Sequence, residues 1–246
     1  MYSYVVEDIG GREYNEDRHC VETNLYKDYS LYAVFDGHGD DKVATFAKQY
    51  LKEVLKTELQ KDQSEELSLY NSLKILNNLI PEDIGNNSGS TVVMLLKKGA
   101  KYWVANVGDS RAIINSNDKA IAITEDHKPG VVSELNRIRD LGGFVFNMGG
   151  VPRVMGNLAL SRALGDFNLA PYVTWEPEIF RLNCNDKNQF IILATDGLWD
   201  VMSNDEVVHV LYNKNINNIK SACNDLMSMS RLRGSTDNIT IMYLLL

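Results

Sequence analysis

Residues 31–40 read LYAVFDGHGD, where an apolar run stops on an acid, a glycine, a histidine and a second glycine. Such a run is typical of a buried strand. Residues 40–61, which follow it, carry apolar side chains at helical spacing and predict an amphipathic helix. Residues 189–200, QFIILATDGLWD, repeat this order with an apolar run, an Asp-Gly pair and a helical pattern. The sequence therefore predicts two strand-turn-helix units, each with an aspartate where its strand ends.

Helical spacing of apolar residues predicts three more helices, over 67–80, 131–141 and 216–229. A further helix is predicted after Ser203, because Ser203 and Glu206 have the spacing of a capping box and stand before an apolar periodic segment.

Runs rich in β-branched and apolar residues predict strands at 91–96, 102–107, 112–114 and after 238. We expect residues 108–110, Gly-Asp-Ser, to join two of these strands as a hairpin turn. The strands are predicted to pair locally, and the helices are segregated from them. This favours an α+β fold with antiparallel sheet covered by helices over strict βαβ alternation. No internal repeat or long linker divides the chain, so we predict one domain over residues 1–246.

Composition excludes several classes of protein. The 246 residues are 44% hydrophobic, which argues against a disordered chain, and the net charge of -8 argues against nucleic acid as a partner. Three widely spaced cysteines do not indicate a disulfide framework or a zinc site. No apolar run is long enough to span a bilayer, and the N-terminus lacks the pattern of a signal peptide. We therefore expect an intracellular protein, and the sequence leaves cytoplasm and nucleus open.

Acidic residues recur where predicted strands begin or end. For any one of them, a turn-forming role is the simpler interpretation, because Asp and Gly are common in turns. Asp36 and Asp196 are exceptions, since each Asp-Gly pair precedes a helix rather than a returning strand. Carboxylates gathered at one sheet edge would repel each other unless a cation neutralised them. Without His or Cys partners, and without an EF-hand pattern, the set favours Mg²⁺ or Mn²⁺.

Eight motifs together resemble the PP2C type of metal-dependent protein serine/threonine phosphatase (PPM family). In chain order they are GGREYNED (10–17), VFDGHG (34–39), SGST (88–91), VGDSRA (107–112), TEDHKP (124–129), LALSRALGDF (158–167), ATDGLWD (194–200) and STDN (235–238). The resemblance implies a four-layer α-β-β-α sandwich of two mainly antiparallel sheets flanked by helices. It also implies hydrolysis of phosphoserine and phosphothreonine in phosphoprotein substrates, and a variable flap near residues 166–180. We expect a monomer.

The resemblance implies two Mg²⁺ or Mn²⁺ ions in the active site, with a weaker third ion as in parts of the family. The residues implied as metal ligands, directly or through water, are Glu16, Asp17, Asp36, Gly37, Asp109, Asp196, Asp200 and Asp237. Among them, Asp36 would bridge two ions and Gly37 would contribute its backbone carbonyl. Arg12 would bind the substrate phosphate, and His38 would protonate the leaving oxygen as general acid.

Two alternatives are weighed against this hypothesis. A haloacid-dehalogenase phosphatase needs a D-x-D nucleophile, and neither Asp36 nor Asp196 has an aspartate two residues away. A catalytically inactive binding or scaffold relative would be expected to have lost metal ligands, which are present here. One departure from the family is Asp40-Asp41 after DGHG, interpreted as acids that favour the start of a helix.

Overall fold

The structure is a computed structural model that describes residues 2–183, 189–212, 214 and 216–246. The strands, in chain order, are β1 (Tyr2–Asp8), β2 (Arg18–Tyr26), β3 (Tyr29–Phe35), β4 (Gly37–His38), β5 (Gly89–Ser90), β6 (Val92–Lys98), β7 (Lys101–Val107), β8 (Arg111–Ser116), β9 (Lys119–Ala122), β10 (Val145–Met148), β11 (Val151–Val154), β12 (Leu164–Gly165), β13 (Glu178–Asn183), β14 (Phe190–Ala194) and β15 (Ile239–Leu245). The helices are α1 (Lys42–Leu59), α2 (Glu65–Leu79), α3 (Glu82–Gly85), α4 (Val132–Asp140), α5 (Asp196–Trp199), α6 (Asn204–Leu211) and α7 (Ile219–Leu232).

Two five-stranded sheets form the centre of the molecule. The first sheet has the strand order β1-β15-β14-β8-β9, and the second has the order β13-β7-β6-β3-β2. Every neighbouring pair in both sheets is antiparallel. A third, small sheet has the order β12-β5-β4, and β10 pairs with β11 as a separate hairpin.

The apolar runs are buried on both faces because each central strand lies between a helix layer and the other sheet. On β3, Leu31 and Phe35 belong to the core shared with α1 and α2, whereas Tyr32 and Val34 belong to the core between the sheets. On β14, residues also alternate between the core shared with α5–α7 and the core between the sheets. The layers therefore run α-β-β-α, which confirms the predicted fold class.

Most predicted elements are present with small shifts at their ends. The helix predicted over 67–80 begins at Glu65, because the Ser64 side chain accepts a hydrogen bond from the Leu67 amide and caps it. The capping box at Ser203 and Glu206 is confirmed. The helix predicted from 216 begins only at Ile219, after a 3₁₀ turn.

The predicted hairpin at residues 108–110 is wrong. β7 pairs with β6 and β13 in the second sheet, whereas β8 pairs with β9 and β14 in the first. The segment therefore carries the chain from one sheet to the other. Gly108 has a φ of 103°, a backbone conformation that residues with a side chain rarely adopt. The chain bends at Gly108 and Asp109, but it does not form the predicted hairpin turn, because local sequence does not specify which strands pair on either side of the bend.

A small cluster lies beside the two sheets. It joins α4 to the β10-β11 hairpin through Ile138, Val154, Ala163 and Val173. The segment 166–180 holds a 3₁₀ turn at Phe167–Leu169, an irregular stretch and the first residues of β13. No helix in the described part of the chain has the length and apolar character needed to cross a bilayer.

Candidate active site

Acidic residues from both sheets converge at one edge of the molecule. Asp36 follows β3 of the second sheet, whereas in the first sheet Asp196 lies shortly after β14 and Asp237 shortly before β15. The pKa of the half-buried Asp36 carboxyl is raised well above its ordinary value. Burial is the main cause, followed by repulsion from Asp196, Asp17, Asp109 and Asp237 in that order. The structure thus brings together the acids that the sequence placed at strand ends.

The backbone around Asp36 is fixed by β6 and the loop before it. The Asp36 amide donates to Thr91 Oγ1 at 3.1 Å, and the Thr91 amide donates to the Asp36 carbonyl at 2.9 Å. The hydroxyls of Thr91 and Ser110 are 2.7 Å apart. Because Ser110 lies in the crossing between the sheets, these contacts tie the position of Asp36 to both of them.

Asp17 is almost fully buried, with 2% of its surface exposed. Its Oδ2 accepts hydrogen bonds from the hydroxyls of Thr195, at 3.0 Å, and Thr240, at 2.7 Å. Its Oδ1 has no hydrogen-bond partner among the described residues, and burial raises the pKa of the carboxyl to about 7. A buried carboxylate oxygen without a partner is costly, and a cation or a cation-bound water would relieve that cost. This atom is evidence that the site fits a metal.

Arg12 and Asp237 contact each other directly. Arg12 Nη2 donates to Asp237 Oδ2 at 2.7 Å, and the two side chains are 53% and 39% exposed. The loop that carries Arg12 and Glu16 is held by Asn238, which donates to the carbonyls of Ile9 and Tyr14 and accepts from the Glu16 amide. Burial raises the pKa of Glu16. The guanidinium has five N–H donors, so a contact with Asp237 leaves others for an anion.

Asp109 and Asp200 share a lysine. Lys128 Nζ lies 3.6 Å from Asp109 Oδ2 and 3.2 Å from Asp200 Oδ1. Asp109 is 5% exposed, and burial raises its pKa to about 6 although Lys128 opposes the shift. The two acids implied as a third metal site therefore have an ammonium group between them.

The donor set is suited to a hard cation, although its members do not form a closed cage. Within the described ranges, no three or more His, Cys, Asp or Glu side chains are arranged to hold one ion. Mg²⁺ commonly takes only one or two carboxylates and keeps several waters. The oxygen donors, their mutual repulsion and the orphan oxygen of Asp17 therefore fit Mg²⁺ or Mn²⁺ with water completing the shell.

His38 has a partner that the sequence analysis missed. His38 Nε2 lies 2.7 Å from Asp166 Oδ2, and the two residues are 128 positions apart. Burial lowers the pKa of His38, but the hydrogen bond and the charge of Asp166 act the other way, and the net shift is upward. Asp166 belongs to the LALSRALGDF motif, but only the pairing of β4, β5 and β12 reveals that it meets His38.

Comparison with known proteins identifies the family of this chain. The model of the family Protein phosphatase 2C matches residues 6–239. Probable protein phosphatase 2C 45 of Oryza sativa subsp. japonica is 41% identical over 212 residues, which are 85% of this chain and 74% of that protein. Probable protein phosphatase 2C 69 of Arabidopsis thaliana is 40% identical over 215 residues, 85% of this chain but only 59% of that protein.

Solved structures share the fold. The structure of a C. elegans sex-determining protein matches with a TM-score of 0.91 and 26% identity, over 99% of this chain and 64% of that one. A serine-threonine phosphatase 2C from Toxoplasma gondii has a TM-score of 0.86 and 24% identity, over 98% of this chain and 93% of that one. With a family match over almost the whole sequence and relatives at 40% and 41% identity, the chain belongs to the protein phosphatase 2C family and is a protein phosphatase.

Proposed function

We propose that this protein hydrolyses phosphoserine and phosphothreonine in phosphoprotein substrates, and that the reaction depends on Mg²⁺ or Mn²⁺. Family membership supports protein phosphatase activity. The metal dependence rests on one observation above all, which is that Asp36 lies among four other acids whose charges all raise its pKa. Such a cluster is stabilised when a divalent cation neutralises it.

Two ions would be held by Asp36, the Gly37 carbonyl, Asp196 and Asp237. Glu16 and Asp17 would act directly or through bound waters, and the orphan Oδ1 of Asp17 supports that role. Asp109 and Asp200 would take a weaker third ion. When bound, such ions lower the pKa of water and stabilise negative charge on a phosphoryl group.

Arg12 and His38 would act on the substrate itself. The planar guanidinium of Arg12 would bind phosphate oxygens through the N–H groups that Asp237 does not use. His38 would give a proton to the departing serine or threonine oxygen, which is a poor leaving group without one. The net upward pKa shift of His38 favours the protonated ring that this role requires.

The test removes the metal and then the central carboxylate. The purified protein is stripped with a chelator and assayed on a phosphothreonine peptide with and without Mn²⁺, beside Asp36→Asn. We expect the stripped protein to be inactive, Mn²⁺ to restore activity, and Asp36→Asn to lose activity by about 100-fold or more, as expected when electrostatic stabilisation of the transition state is lost. Asp62→Asn, the same change at an exposed loop position, is the matched control.

Activity that ignored Mn²⁺, or that survived Asp36→Asn, would contradict the proposed mechanism. The alternative of an inactive binding relative predicts a different pattern. It predicts that the wild-type protein retains the phosphopeptide in a binding assay but releases no phosphate at any Mn²⁺ concentration.

A further inference from the structure

The contact between His38 and Asp166 is well enclosed. The two side chains are 25% and 11% exposed, and His38 Nε2 lies 2.7 Å from Asp166 Oδ2. At this distance between a ring nitrogen and a carboxylate oxygen, the pair forms a charge-assisted hydrogen bond when the ring is protonated. Water competes less for such a bond than for an exposed one.

The small third sheet builds this contact. His38 pairs with Gly89 across β4 and β5, and Gly165 pairs with the same Gly89 across β5 and β12. Asp166 follows at the end of β12. A Cβ at position 89 would lie 2.1 Å from Asp166 Oδ2 and 2.4 Å from His38 Nε2. Only glycine at position 89 leaves room for the two side chains to meet.

The backbone of Asp166 is also unusual. It has φ 50° and ψ 36°, in the left-handed region that costs free energy in residues other than glycine. Its amide donates to the Ser88 carbonyl at 3.2 Å, in the strand connection that leads into β5. Aspartate adopts this region more readily than most residues, and the hydrogen bond to Ser88 holds the backbone of Asp166 beside β5, whose neighbour on the other side is the strand of His38.

The two nitrogens of an imidazole have separate roles, and the bond made by one decides what the other does. We propose that Asp166 is a positioning residue that holds His38 through Nε2 and leaves Nδ1 as the nitrogen that serves the leaving group. This inference rests on the proposed function, in which His38 is the general acid.

The proton balance is simple. As water adds to phosphorus and the bond from phosphorus to the serine or threonine oxygen breaks, the Nδ1 proton moves to that oxygen. The products are orthophosphate and the free hydroxyl group. The imidazole is left neutral, with Nε2–H still donating to Asp166, and solvent returns a proton to Nδ1.

The test compares two substrates whose leaving groups differ in their need for a proton. We expect Asp166→Asn to lower kcat on a phosphothreonine peptide about 10- to 100-fold, a part of the roughly 10²- to 10⁴-fold that a general acid provides. The KM should change little, and kcat on p-nitrophenyl phosphate should stay close to wild type. In a His38→Ala background, Asp166→Asn should have no further effect.

Two more variants separate positioning from simple structural support. Gly89→Ala keeps both side chains but forces them apart, and it should reproduce the substrate-selective loss even if Asp166→Asn folds poorly. Asn168→Ala removes a neighbouring contact, from Asn168 Nδ2 to the Asn86 carbonyl, and should leave the ratio of the two activities unchanged.

The outcomes distinguish this inference from the proposed function. If His38→Ala slows both substrates equally, His38 is not the general acid, and the inference fails with that part of the proposed function. If His38→Ala shows the selective loss but Asp166→Asn lowers both activities equally, or adds its full effect to His38→Ala, only the positioning role is overturned.

Discussion

Lys128 places its ammonium group between two carboxylates of the candidate active site. Its Nζ is within 3.6 Å of Asp109 and 3.2 Å of Asp200, and it lowers the pKa of Asp109 against the larger effect of burial. A divalent cation bound by the same two acids would have to share them with a positive charge. Lys128 should therefore weaken binding at the third metal site that we propose.

Replacing the lysine tests this competition. Lys128→Met keeps a chain of similar length without charge, and we expect it to tighten the weakest Mn²⁺ site about three- to tenfold, a modest gain because the pair is partly exposed and screened by water. Titration calorimetry measures the number of sites and their affinities. Lys101→Met, at an exposed strand end, is the control. Unchanged affinity and stoichiometry in Lys128→Met would show that the lysine does not compete.

At the scale of single residues, the sequence predicted that acids at strand ends would lie near each other, but it did not predict which side chains contact each other. Asp36 and Asp196 were identifiable because each ends an apolar run, a local pattern. The pairing of Arg12 with Asp237 joins positions 225 apart, and that of His38 with Asp166 joins positions 128 apart. Such contacts depend on how strands order in a sheet, which periodicity does not encode.

At the scale of elements, α4 is anchored by a buried acid. Glu134 is 2% exposed, and its carboxylate accepts hydrogen bonds from Arg137, one turn further along the helix, and from Arg162. Burial alone would raise the pKa of Glu134, but the two guanidiniums lower it to about 2. Arg162, from the SRALGD motif, therefore serves to fix α4 against the segment that leads to Asp166.

Glu134→Gln removes the charge while keeping the shape. We expect the free energy of unfolding to fall by about 3 kcal/mol at pH 7, because the partly buried Arg137 loses its carboxylate partner and Arg162 keeps only the more distant Glu178, at 3.4 Å. Glu134 has a folded pKa of about 2 against an ordinary value near 4.5, so its contribution is complete above about pH 4.5 and is lost as the pH falls towards 2. Urea denaturation between pH 7 and pH 3 should show the wild-type advantage shrinking.

The matched control for this prediction is Glu53→Gln, the same change on the exposed face of α1, which should alter stability by less than about 0.5 kcal/mol. A difference between wild type and Glu134→Gln that stayed constant across the pH range would argue against the charged network. Equal stability of wild type and Glu134→Gln at pH 7 would also argue against it.

On the scale of the whole molecule, the acids lie along the edge where two sheets pack together. Asp36 follows a strand of the second sheet and Asp196 follows a strand of the first. Asp17 precedes β2 of the second sheet and accepts hydrogen bonds from Thr195, next to β14, and Thr240, in β15 of the first. The apolar layer between the sheets holds these strand ends close to each other. The hydrophobic packing that builds the fold thus forces like charges together. Their repulsion lowers the stability of the metal-free folded state.

Repulsion among these carboxylates predicts that the stability of the fold depends on both pH and bound metal. The folded pKa values of Asp17, about 7, and Asp109, about 6, lie above the ordinary value near 4, so the folded state binds more protons than the unfolded state over this range. Their contribution to stability is therefore present below about pH 4 and lost as the pH rises towards 7. We expect metal-free Asp36→Asn to be more stable than metal-free wild type, with the difference widening over that range.

Adding Mn²⁺ should reverse the order. A ligand that binds only the folded state adds about 2.7 kcal/mol at 100 times its Kd, and wild type should gain this while Asp36→Asn gains much less. Thermal unfolding at pH 5, 6 and 7, with EDTA or with Mn²⁺, measures both effects, and Asp62→Asn again controls for a lost exposed charge. If metal-free wild type were the more stable protein at pH 7, the acids would not be repelling one another. Evidence for a cation site built by the packing of the two sheets would then be lost.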